Sequence, residues 1–78
     1  MITVVARNRD DNVAKMFHRT MMRDRVMCEI IIVNKDIENE YRIEGVPAAI
    51  FSSGKVIYEK EMREMILAKG GVKTMEMI

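Results

Sequence analysis

The chain has one cysteine, one proline, no tryptophan, and only two phenylalanines and two tyrosines among its 78 residues. A single Cys28 rules out an intrachain disulfide, so packing and not cross-linking must hold the fold. Neither charge sign dominates: 13 lysines and arginines against 12 aspartates and glutamates leave a formal net charge of +1. That balance supplies no global attraction to nucleic acid. No apolar run reaches the length of a membrane span and the N-terminus has no signal-peptide pattern, which makes a cytoplasmic protein with no membrane association the expectation. With so few aromatics, the core falls to aliphatic side chains and nine methionines, whose flexible thioethers pack adaptably. What is there is ordinary for a globular domain, 49% apolar and 32% charged. A chain this short makes one domain with a small core, residues 1–78 with a tail from about 71.

The stretch from Tyr41 to Tyr58 organises the rest. An extended Gly45-Val46-Pro47 segment leads into the apolar run Ala48-Ala49-Ile50-Phe51. A Ser52-Ser53-Gly54-Lys55 turn and the alternating Val56-Ile57-Tyr58 follow. This pattern reads as a β-hairpin. Proline has no backbone N–H, so Pro47 belongs at the first residue of a strand or on an edge, where no ladder bond is lost. Its ring also pushes Val46 towards extended geometry.

Before the hairpin, Ile2 to Ala6 is β-branched and bounded by the polar run Arg7 to Asn12, which makes a strand, expected to be central. Val13, Met16, Phe17 and Met21, with Thr20 on the same stripe, recur at the spacing of one helical face. One of Asp10, Asp11 or Asn12 should cap that helix, which fades near Arg25. Cys28 to Val33 is nearly continuous in apolar residues and reads as a strand buried on both faces in a parallel pair. Asp36 is placed to cap a short helix through about Tyr41. After Glu59 or Lys60, positions Met62, Met65, Ile66 and Leu67 define a last helix, ended by Gly70-Gly71. Met75 to Ile78 is a tail. The order is β-α-β-α-β-β-α, an α/β sandwich with helices on both faces of the sheet.

That order, with Tyr41-x-Ile43-x-Gly45-Val46-Pro47-Ala48 and the later Gly54-Lys55-Val56, resembles the thioredoxin and glutaredoxin superfamily, in particular the small glutaredoxin-like redoxins of microbes and phages. The resemblance spans Ile2 to about Gly70 and is best from Ile43 to Val56. It implies a thioredoxin-like three-layer sandwich with a four-stranded mixed sheet and a cis peptide bond between Val46 and Pro47, before the third strand. The family carries Cys-x-x-Cys in the loop after the first strand, where a thiolate at a helix N-terminus has a lowered pKa. Here an ungapped reading puts Asp10 and Val13 at those positions. Neither supplies a sulfur, so dithiol activity is not carried over, and no cofactor is expected.

Several residues remain as candidates. Gly45-Val46-Pro47 is the peptide-docking edge in related redoxins, and strand addition there needs only backbone donors and acceptors; the plain structural reading is that proline shapes the start of the hairpin. The loop Arg7, Asn8, Arg9, Asp10 and Asp11 offers a partner or anion surface, or a solvated set of self-compensating charges. Cys28 is the one possible redox atom, or a small hydrophobe in a buried strand. His18, Arg19, Arg23 and Arg25 form a basic strip without the aromatic platform that nucleic-acid binding calls for. His18 alone, on a polar helical face, lacks the second ligand or nucleophile of a metal or catalytic site and reads as solvated. The leading expectation is therefore a non-catalytic binding module, a monomer or weak dimer, that meets a protein partner through the Pro47 edge and the adjacent charged loop. A redox or auxiliary redox protein using Cys28 is the alternative. A nucleic-acid or host-protein ligand using the Arg-rich helix is the weaker one.

Overall fold

A computed structural model of the chain describes residues 1–71. In chain order its elements are β1 (Ile2–Ala6), α1 (Asn12–Arg23), β2 (Cys28–Ile32), α2 (Lys35–Tyr41), β3 (Ala48–Ile50), β4 (Val56–Tyr58) and α3 (Glu59–Ile66), with a π-helical turn over Leu67–Gly71. The fold class is α/β, with three helices and a four-stranded mixed sheet in the order β2-β1-β3-β4. β1 pairs parallel with β2, Ile2 opposite Cys28, and antiparallel with β3, Val4 opposite Ala49. β3 pairs antiparallel with β4. The expected central place of β1 and the hairpin are both present.

Alternation along β1 divides the sheet into two faces. Ile2, Val4 and Ala6 join Cys28, Ala49 and Ile57 on one face, under Val13, Ala14, Phe17 and Met21 of α1 and Met62 and Ile66 of α3. Phe17, Met21 and Met62 are the largest fully buried side chains of this cluster. Two helices and one sheet face thus share a single aliphatic-methionine core. α2 buries none of its residues.

Helix ends follow local chemistry. Asp11 caps α1, its Oδ1 accepting from the Ala14 N–H at 3.2 Å, which satisfies an otherwise orphaned first-turn donor. The short α2 is capped by Asn34, whose Oδ1 accepts from Ile37 N–H at 2.9 Å, and not by Asp36, which lies inside the first turn. Asn34 wins because its extended backbone, φ −148° and ψ 174°, is the geometry that lets a side chain turn back on the helix. The hairpin turns at Gly54, whose φ of 93° suits a residue without Cβ.

Three further expectations are corrected. Cys28–Ile32 is not buried on both faces: it is the outer strand of the sheet, with Ile30 36% and Ile32 41% exposed. Met16, assigned to the core stripe of α1, is exposed; Ala14 takes the buried place, since the helix presents positions 13, 14, 17, 20 and 21 to the sheet. Leu67 is exposed as well, because the chain widens into the π-helical turn after Ile66. The π-helical turn reaches Gly71, the last described residue, so the stop expected at Gly70-Gly71 falls at the limit of the described residues. The tail expected at Met75 to Ile78 lies outside the described residues.

Candidate functional site

The loop that leaves β1 and the loop that leads into β3 meet at one end of the sheet because those strands are antiparallel neighbours. Their meeting is fixed by a side chain. Arg7 Nη2 donates to the Val46 carbonyl at 2.9 Å. Arg7 N–H in turn donates to Asp11 Oδ2 at 3.0 Å, and Asp10 N–H to Asn8 Oδ1 at 2.8 Å. The aspartate at position 11 therefore serves the backbone on both sides, holding the loop with one oxygen and the helix with the other. The self-compensating charge pairs weighed for this loop do not form among the described residues; ion pairs lie elsewhere, between Glu59 and Arg63 and between Asp24 and Lys69.

On the other side, the Val46–Pro47 peptide bond is cis and Pro47 is buried immediately before β3. Glu44 N–H donates to the Tyr58 hydroxyl at 3.1 Å, tying this loop to the end of β4. No hydrogen bond to the Val46 N–H is present among the described residues. The environment of Gly45 is open, with nothing within 4 Å of where a Cβ would lie.

Two shallow grooves adjoin here. One, of about 270 Å³, is lined by Gly45, Val46, Pro47, Tyr58 and Glu59. The second, of about 370 Å³, is lined by Arg7, Asn8, Asp10, Asp11, Glu59 and Arg63 among others. Glu59 belongs to both walls. Of the sequence-derived site residues, Arg7, Asn8, Asp10, Asp11, Gly45, Val46 and Pro47 are brought together; Arg9 is exposed but lines neither groove. Tyr58, Glu59 and Arg63 were missed. The signal for them was the absence of any loop between β4 and α3, which places the first turn of α3 beside the proline loop. A larger depression of about 580 Å³ lies elsewhere, between the hairpin turn and α3, with an apolar floor of Phe51, Ile57 and Met65 and a rim of both charge signs.

Cys28 is separate from this surface. Its side chain is buried under α1 in the core, and burial, with a smaller contribution from the Glu29 charge, pushes the thiol pKa up to about 11. Little thiolate exists at neutral pH, and the thiolate is the nucleophile. His18 is not a solvated helix residue: half-buried, its Nε2 lies 3.0 Å from the Cys28 carbonyl oxygen. Among the described residues no group of three or more His, Cys, Asp or Glu is placed to hold a metal ion, and no helix is long and apolar enough to cross a membrane.

The chain matches no protein-family model, no curated protein and no solved structure.

Proposed function

We propose that the chain is a small, non-catalytic protein-binding module of thioredoxin-like or glutaredoxin-like architecture, meeting an extended protein segment across Gly45-Val46-Pro47 and the loop Arg7 to Asp11. The observation that carries this reading is the Arg7 to Val46 hydrogen bond at 2.9 Å, which makes one continuous surface from two loops far apart in sequence. The Val46 N–H faces no acceptor among the described residues, so a backbone donor is left for an incoming chain. The Val46 carbonyl is already engaged by Arg7. Docking here is therefore through one main-chain donor, assisted by the polar groove beside Asp10 and Asp11, or it requires Arg7 to swing away.

Support for the architecture comes from the strand order β2-β1-β3-β4 with a proline at the threshold of β3, and from the β-α-β-α-β-β-α sequence of elements. The alternative redox role for Cys28 is disfavoured by its burial and its raised pKa.

The test is selection from a displayed random-peptide library on the immobilised full chain, followed by NMR mapping of a selected peptide. The reading expects amide shifts centred on Gly45, Val46 and Asn8 to Asp11, with binding weakened by charge reversal at Asp10. Selection of no peptide, or shifts that leave Val46 untouched, would overturn it.

A further inference from the structure

The outer edge of the sheet at β2 carries a second feature. β2 is an outer strand, and its hydrogen bonding to β1 is set by Ile2 N–H donating to Met27 O and Val33 N–H donating to Ala6 O, both at 2.9 Å. In a parallel ladder the residues of one strand alternate in the direction of their backbone groups. Residues 27, 29, 31 and 33 thus point at β1, and Cys28, Ile30 and Ile32 turn their N–H and C=O groups outward. His18 from α1 covers the first of these, reaching the Cys28 carbonyl. No group among the described residues bonds to the outward backbone of Ile30 or Ile32.

Natural edge strands are blunted by lysine, proline, bulges or a covering element. β2 has no lysine, proline or bulge over Cys28-Glu29-Ile30-Ile31-Ile32, and it is covered only at the Cys28 carbonyl, by His18. Its one charge, Glu29, sits on the face away from α1, where it accepts from Thr3 Oγ1 at 3.1 Å. On the α1 side the strand is bordered by a groove of about 420 Å³ lined by Lys15, His18, Arg19, Met22 and Ile30. The groove has an apolar floor and a basic rim, and no carboxylate lines it.

We infer that the β2 edge accepts an extended acidic and apolar peptide by strand addition, its backbone pairing with Ile30 and Ile32, its α1-side residues supplying leucine-like contacts to Ile30 and Met22 and carboxylates to Lys15 and Arg19. Main-chain bonds give the affinity and the alternate side chains the selectivity. A second copy of the chain fits less well. Two-fold pairing of β2 with itself puts both α1 helices on one side of the joined sheet, so that the basic rims of Lys15 and Arg19 face each other.

The experiment titrates the isotope-labelled full chain with two synthetic peptides, one repeating Glu-Thr-Leu-Thr and one repeating Lys-Thr-Leu-Thr. The acidic peptide is expected to shift the Ile30 and Ile32 amides and slow their hydrogen exchange, while the lysine peptide leaves them unchanged. Joint reversal by Lys15→Glu and Arg19→Glu is expected to weaken the acidic peptide roughly tenfold. Ile30→Pro removes an outward N–H without touching the bonds to β1 and is expected to abolish binding, its fold being checked by thermal melting. If Ile30→Pro does not fold, the charge reversal on the exposed helix face decides. Equal binding of both peptides, binding by neither, shifts confined to Val46 and its neighbours, or self-association through β2 in place of peptide binding would each overturn the inference.

Discussion

Arg7 Nη2 and the Val46 carbonyl oxygen lie 2.9 Å apart across 39 positions of sequence, and that one bond joins the loop after β1 to the loop before β3. It is solvent-exposed, and such a bond contributes about 1 kcal/mol net. Arg7→Ala is expected to lower stability by about that amount in urea titrations and to speed amide exchange in residues 44–46 and 8–11 together. Faster exchange in one loop alone would show that the bond does not couple them.

Arg25 adopts φ 63°, the left-handed region, just past the end of α1. Its N–H donates to Met22 O at 3.0 Å and Val26 N–H donates to Met21 O at 2.9 Å, the paired bonds of a Schellman motif whose left-handed position is usually glycine. A side chain there costs on the order of 1 kcal/mol. Arg25→Gly is accordingly expected to raise the thermal midpoint, stabilising the chain by about 0.5–1 kcal/mol. A lowered midpoint would mean that the arginine side chain contributes more than its backbone geometry costs.

These two features show where reading the sequence stops. The strands, the helices and the hairpin were legible because Ile2 to Ala6 is β-branched, Phe17 and Met21 fall one turn apart, and Pro47 marks the start of a strand. Helix ends built on Arg25 and Arg42 were not, since an arginine at φ 55° in Arg42 gives no sign in the sequence. The edge position of β2 was misread because an apolar run looks the same whether its second face meets protein or water. Likewise the site was legible as two loops but not as one surface, the linking Arg7 bond being a tertiary contact with no local pattern, and Glu59 and Arg63 entering it only because α3 starts directly after Tyr58.

Cys28 gives a pH dependence with a definite sign. Its folded pKa is raised from 9.0 to about 11, so the folded state holds the thiol proton more tightly than the unfolded chain does. The stabilisation is complete below about pH 9 and is lost as the pH rises from there to about 11. Over that window the loss from this group is on the order of 2 kcal/mol. Denaturant titrations of the natural chain and of Cys28→Ala at pH 8 and near pH 11 isolate it: the natural chain is expected to lose more stability than the variant. Native-state labelling with a thiol reagent is expected to be slow and to become fast only in denaturant. Equal pH slopes in the two proteins, with fast native labelling, would revive a monothiol role.

Met16 and Met62 were both assigned to helical core stripes, and the structure separates them: Met62 is fully buried between α1, α3 and the sheet, whereas Met16 is 48% exposed. Truncating a buried methionine removes transfer free energy and leaves a cavity, about 2–5 kcal/mol in total, whereas an exposed helix position changes stability by roughly 0.5 kcal/mol or less. In a domain this small the first loss is comparable to the whole folding free energy. Met62→Ala is therefore expected to leave the chain largely unfolded at room temperature, or to drop its urea midpoint steeply. Met16→Ala should be nearly silent, because alanine is the better helix former and the side chain touches little. Similar losses from both would mean that Met16 is packed and not solvated, and would turn attention to the surface where α1 borders the open edge of β2.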